Sequence, residues 1–146
     1  MITQLIKKIM TDAGCTVVVY EQDTLVNLYT DRGDPLDVIG VCIEPNTLTL
    51  ELHANALHER YNPLTVEVLI QADPEDKAEV NEPRLVKTLA VLKQVVIRII
   101  ASGLFKAQKP YVAYKVRERK YDANVIGWGI GLDLYYLRNE TRVPCL

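Results

Sequence analysis

The stretch from Arg84 to Gly103, RLVKTLAVLKQVVIRIIASG, is long, apolar and free of turn formers until its last residues, and it constrains everything around it. Val86, Val91, Val95, Val96, Ile97, Ile99 and Ile100 are β-branched and favour strands locally. Strands nevertheless average about five or six residues, so an unbroken run of this length is expected to be a helix. Spacing agrees, since Leu85, Leu89, Leu92, Val96, Ile99 and Gly103 fall on one helical face, with Arg84, Lys87, Gln94 and Arg98 on the opposite stripe. Asn81 or Glu82 is placed to cap this helix, Pro83 to occupy its first turn and Gly103 to end it. Val91 and Val95 border the polar stripe, so apolar surface wraps more than half of the circumference. One face is expected to meet the chain's own sheet and the other a neighbouring copy.

At 146 residues, 49% of them hydrophobic and 25% charged, the chain can bury a sizeable core and is too apolar for disorder. A single α+β domain over residues 1–146 is expected. No apolar run reaches the roughly eighteen residues that span a bilayer, so no membrane partner is expected. Met1 to Met10 carries Lys7 and Lys8 and is followed by no small-residue cleavage site, which does not fit a signal peptide. Cys15, Cys42 and Cys145 are widely spaced, which fits buried or incidental thiols in a reducing compartment.

Charge is distributed unevenly. Residues 1–83 hold 5 Lys/Arg against 15 Asp/Glu, whereas residues 84–146 hold 12 against 4. An acidic and a basic surface on one subunit would let like copies meet head to tail, and contacts of that kind close into rings or extend as filaments. The alternative is that both signs interleave on the folded surface.

Taken in order, Ile2, Leu5, Ile6, Ile9, Met10 and Ala13 have the spacing of an amphipathic helix that Gly14 ends. Thr16–Tyr20 predicts a short strand, residues 21–37 an irregular stretch, and Asp37–Glu44 a buried strand. Leu48, Leu50 and Leu52 alternate with Thr49, Glu51 and His53 as in a half-buried strand. Residues 54–63 read as a loop, Leu64–Ala72 as a strand and Asp73–Glu82 as an acidic connector into the long helix. Beyond the helix, Tyr111–Glu118 and Val125–Leu137 predict a closing hairpin with its tip at Arg119–Asn124. Thirteen residues at roughly 3.3 Å each give the last strand about 43 Å, enough to project from a small body. Its apolar face is Ile126, Trp128, Ile130, Leu132, Leu134 and Tyr136, and its other face carries Gly127, Gly129 and Gly131. Such a glycine row admits another backbone or a bulky side chain, expected here to come from a neighbour. The full order is α-β-β-β-β-α-β-β: a mostly antiparallel sheet with two helices on one face and a long C-terminal β-hairpin.

Motifs that suggest chemistry each have a plainer explanation. Gly127, Gly129 and Gly131 spell GxGxG inside a strand, without the helix N-terminus that receives a phosphate. His53, His58 and Glu59, which Cys42 could join, lack the spacing of a zinc site, and the histidines read as surface residues. Arg32-Gly33-Asp34 reads as a turn. The order of elements is shared with restriction-endonuclease-like nucleases, in which a strand ending Glu-x-Lys and an upstream Asp hold a divalent metal. Glu75-Asp76-Lys77 and Asp37 supply those letters, but Glu75 follows Pro74 in a polar connector and not a strand. No catalytic residue, cofactor or metal ligand is assigned. Lys106, Lys109, Lys115, Arg117, Arg119 and Lys120 interleave with Tyr111, Tyr114 and Tyr121. That pattern can bind nucleic acid, guard a strand edge, or dock onto an acidic protein surface such as residues 73–82 of another copy. The candidate contact residues between copies are Lys115, Arg117, Arg119, Lys120, Gly127, Trp128, Gly129 and Gly131 on the hairpin, and Asp73, Glu75, Asp76 and Glu79 on the connector.

The succession of Ile2–Ala13, the strands between Thr16 and Ala72, Arg84–Gly103 and the glycine- and aromatic-bearing Val125–Leu137 resembles the tail-terminator and tail-completion proteins of long-tailed bacteriophages. The likeness lies in the pattern of nearly the whole chain, with no clear counterpart for residues 21–37 and 138–146. It implies a virion protein of the tail or neck, made in the host cytoplasm, that forms a ring, commonly a hexamer. It further implies partners in the tail tube and the neck, DNA passing through the ring lumen, no catalysis and no cofactor.

Overall fold

The computed structural model describes residues 2–19, 37–73, 75, 77–116 and 124–142, with side chains of the last segment described as far as Leu137. Residues 20–36, with the Arg32-Gly33-Asp34 tripeptide, residues 117–123, with most of the expected tip Arg119–Asn124, and residues 143–146 lie outside these.

Two long antiparallel strands form the middle of the sheet. They are β4 (Ala56–Gln71) and β7 (Val125–Arg142), in register through the pairs Val66↔Ile130, Val68↔Trp128 and Ile70↔Ile126. On the outer edge of β4 lie β2 (Ile39–Ile43) and, further along, β3 (Thr49–His53), both antiparallel to it. The outer edge of β7 carries β6 (Ala113–Val116) and β5 (Phe105–Ala107) in the same end-to-end fashion. β1 (Val17–Val19) runs parallel to β2, so the seven-stranded sheet is mixed but mostly antiparallel.

Period-two alternation explains why one face of this sheet attracts helices. Leu64, Val66, Val68 and Ile70 of β4 and Ile126, Ile130, Leu132 and Leu134 of β7 are buried in one cluster with the helix residues. Helix α1 (Ile2–Ala13) contributes Ile2, Ile6 and Met10, and Gly14 ends it at a φ of +121°, where a side chain would be strained. Met10 reaches the sheet because Gly40 of β2 has no side chain: a Cβ there would collide with the Met10 terminal methyl. Helix α2 (Ala78–Ala101) buries Thr88, Leu92, Val95 and Ile99. A smaller apolar cluster, including Ile39, Val41, Leu69, Val116 and Val125, occupies the opposite face of the sheet. The α+β class, the mostly antiparallel sheet and the helices packed against it are as expected from the sequence.

Several boundaries differ. Helix α2 begins at Ala78, so Glu79 and Glu82 belong to the helix and Pro83 lies inside it, with its ring on the exposed side. Residues 56–63 are strand and not loop. Ala54 and Asn55, at φ 49° and 62°, form a tight two-residue turn, and β4 starts directly after it. Pro63, which cannot donate to a ladder, sits at the register shift between Tyr61 and Leu64. An additional short strand, β5, follows α2, and β7 continues to Arg142 instead of stopping at Leu137. Over its described residues the closing hairpin lies within the sheet and does not project. From Val125 to Tyr136, β7 is paired with β4 on one side, and over parts of that length with β6 and β5 on the other.

Candidate functional site

The glycine row faces away from the helices, and at Gly127 and Gly129 its space is taken by the chain itself. Glu67, Gly129 and Tyr114 lie side by side on β4, β7 and β6. The Tyr114 hydroxyl donates to Glu67 Oε2 at 2.6 Å across the bare glycine backbone. A Cβ on Gly129 would stand 2.6 Å from Tyr114 Cζ and 2.7 Å from Glu67 Cγ. At Gly127 it would run into the Val68 carbonyl. Gly131 is exposed, and a Cβ there would touch only Pro63, at 3.3 Å. Gly127 and Gly129 therefore serve internal packing, which corrects the expectation that a neighbour fills this row.

Further along the same face, a polar ladder ties β3, β4 and β7 together. Arg60 grips Asp133 with two hydrogen bonds, Nε to Oδ1 at 2.8 Å and Nη2 to Oδ2 at 2.6 Å, while its Nη1 donates to Glu51 Oε1 at 2.7 Å. Tyr135 donates its hydroxyl to Glu51 Oε2 at 2.8 Å, and His53 Nε2 lies 3.0 Å from the same oxygen. Hydrogen bonds from His53, Tyr135 and Arg60 hold the Glu51 carboxyl down at about 2, and Asp133 and Glu51 raise the Arg60 guanidinium above its usual range. Beside the ladder, His53, His58, Lys106, Gln108, Tyr135 and Leu137 line an open cleft of about 450 Å³. His53 and His58 thus stand near each other, with ring centroids 5.9 Å apart, although they flank a turn in sequence. Among the described residues, no three His, Cys, Asp or Glu side chains converge as metal ligands.

The connector is a helix start. Asp73 Oδ2 accepts the Lys77 amide at 3.0 Å, and buried Asn81 accepts the Asp73 amide through its Oδ1 at 2.8 Å. Arg84 donates to the Gln71 carbonyl at 2.7 Å, which fastens the end of β4 to α2. Glu75 and Lys77, the letters of the nuclease signature, pair with each other at 2.8 Å on the surface. Glu79 is exposed in the first turn of α2. On the helix side of the sheet, Lys115 places its Nζ 5.5 Å from the ring centroid of half-buried Trp128. Asp76, Arg117, Arg119 and Lys120 lie outside the described residues.

Two of the exposed surfaces among the described residues are apolar, and β3, expected to be half-buried, is largely exposed on both faces. Leu50 is 55% and Leu52 61% exposed, with Leu48 at 47%, while Glu51 between them is drawn into the ladder. β3 takes no strand partner other than β4 among the described residues. Leu48 continues into a groove of about 390 Å³ that also involves Pro45, Tyr61 and Tyr136, bordered by Glu44 and Glu59. Burial and those two carboxylates push the Tyr61 hydroxyl up to about 12, the response expected of a phenol in negative surroundings. A second apolar surface runs along α2 opposite its buried face, through Val86, Ala90, Ile97 and Ile100. The second apolar face of this helix was expected from the sequence, whereas the leucine row was expected to be half-buried and is exposed.

The chain matches no protein family model, no curated protein and no solved structure.

Proposed function

We propose that this protein is a structural subunit of a homo-oligomeric ring, of the kind that caps a phage tail tube and joins it to the neck. The observation that carries this reading is the exposed leucine row on the edge strand β3. Soluble proteins normally guard an open strand edge with charge, proline or a covering element, because an apolar edge recruits other chains. Here the leucines lie where copies of the subunit can cover one another, and the outer face of α2 adds a second uncovered apolar surface on the same subunit. In this reading the ring is commonly a hexamer, its partners are tail-tube and neck proteins, and its lumen passes DNA. Its work is positional, so it requires no cofactor. With Gly127 and Gly129 packed internally, assembly in this reading rests on apolar area in the middle of each contact and on charge around it.

Native mass spectrometry of the full chain, with and without about 1 M salt, tests the proposal. The expected result is one closed stoichiometry above two that persists in salt, since apolar burial is not screened as surface ion pairs are. A monomer in both conditions overturns it.

A further inference from the structure

The two uncovered apolar surfaces differ in electrostatic character. The surface on the β3–β4 arm, formed by Leu48, Leu50, Leu52 and the adjoining groove, is bordered by Glu44 and Glu59. The stripe on α2 carries Lys93 in its middle, between Ala90 and Ile97, with Lys87 and Arg98 along one side. Helical geometry sets Val86, Ala90, Lys93, Ile97 and Ile100 within about one quarter of the circumference, opposite Leu92, Val95 and Ile99. Val86 is 66% and Ile97 54% exposed, so this stripe takes no part in the chain's own core.

Resting on the ring reading above, we infer that the outer stripe of α2 from one copy docks on the leucine row and acidic groove of the next. The occupant is a second copy of this chain, chosen by complementarity: an apolar strip with a basic centre faces an apolar trough with acidic rims. Each subunit carries one surface of each kind, so the contact is heterologous and every copy uses both at once. A repeated contact of this type has no built-in stop at two copies, which distinguishes it from a symmetric pairing of β3 with β3. It also uses the charge division of the sequence, because the carboxylates of the trough lie in the acidic first half and the cations of the stripe in the basic second half.

Complementation between two defective variants tests this directly. Leu50→Asp disables the trough and leaves the stripe intact, whereas Ile97→Asp does the reverse. Both positions are exposed, and circular dichroism checks that each variant retains its fold; Leu52→Asp and Val86→Asp serve as the second pair. Each variant alone is expected to be monomeric in native mass spectrometry. Mixed in equal amounts, they are expected to form a one-to-one dimer and nothing larger, because only one good trough and one good stripe remain to meet. Variants that stay assembled like the wild type overturn this interface and leave the ring standing on other surfaces. Variants that are each monomeric yet fail to pair on mixing overturn the head-to-tail arrangement, as does an Ile97→Asp variant that stays dimeric while Leu50→Asp is monomeric, the result of a symmetric β3 contact. A monomeric wild type removes the ring and this inference together.

Discussion

Tyr114 and Glu67 meet through a 2.6 Å hydrogen bond above the backbone of Gly129, with their strands on either side of it. The glycine is what lets a buried carboxylate on β4 reach a phenol two strands away. Gly129→Val is expected to force the two side chains apart and cost about 2–4 kcal/mol, combining overpacking with a disrupted buried polar contact. Gly131→Ala, beside Pro63 on an exposed stretch, is expected to stay within about 0.5 kcal/mol of wild type. Urea unfolding of both variants checks the contrast; equal effects would refute the packing role of Gly129.

Glu51 gives the polar ladder a defined pH response. Its carboxyl is held near 2 in place of its usual 4.5, chiefly by the hydrogen bonds of His53, Tyr135 and Arg60. A depressed carboxylate supplies stability that is complete above 4.5 and is lost as pH falls towards 2. Thermal melts across that window should show a steeper acid decline for wild type than for Glu51→Gln, and parallel curves would contradict the assignment.

Cys15 and Cys42 are buried, and burial pushes both thiols up to about 12, with Glu44 adding to the effect at Cys42. Thiolate is the reactive form, so at pH 8 neither should label with maleimide in the native protein. Both should label on unfolding in guanidinium. Peptide mapping by mass spectrometry reads the outcome.

At the start of α2 the expected ranking separates a structural carboxylate from a surface one. Asp73→Ala removes the acceptor of the Lys77 amide and should cost about 1 kcal/mol. Glu75→Ala breaks only the exposed pair with Lys77 and should change stability by less than about 0.5 kcal/mol. A larger loss at Glu75 than at Asp73 would point to a role for Glu75 beyond that surface pair.

Much of the fold was legible because its apolar periodicity is strong. Ile2, Ile6 and Met10 predicted α1, and the even-numbered residues from Ile126 to Leu134 announced the buried face of β7. Residues 56–63 were misread as a loop because His58 and Arg60 present polar side chains on the face away from the helices. Arg60 is satisfied there by Asp133, a contact between residues far apart in sequence. β3 was misread as half-buried because alternation shows that a strand has two unlike faces but not whether another layer covers either one. Glu51 is held by Arg60 and Tyr135 on the face away from the helices, and the leucines lie exposed on the other face. The glycine row was correctly read as a place of close approach, but the side chain that approaches comes from β6 of the same chain.

The central pairing of β4 with β7 sets a limit on how quickly this protein can form. Val68 finds Trp128, and Leu64 finds Leu132, only after the intervening chain, including all of α2, has been laid down and looped back. Such distant partners incur their loop-closure entropy before any contact rewards it, so stopped-flow refolding should fall in the millisecond-to-second range typical of non-local topologies. Until that seam closes, β4 offers unpaired backbone to other nascent copies, and subunit synthesis at high concentration becomes a race between intramolecular zippering and aggregation.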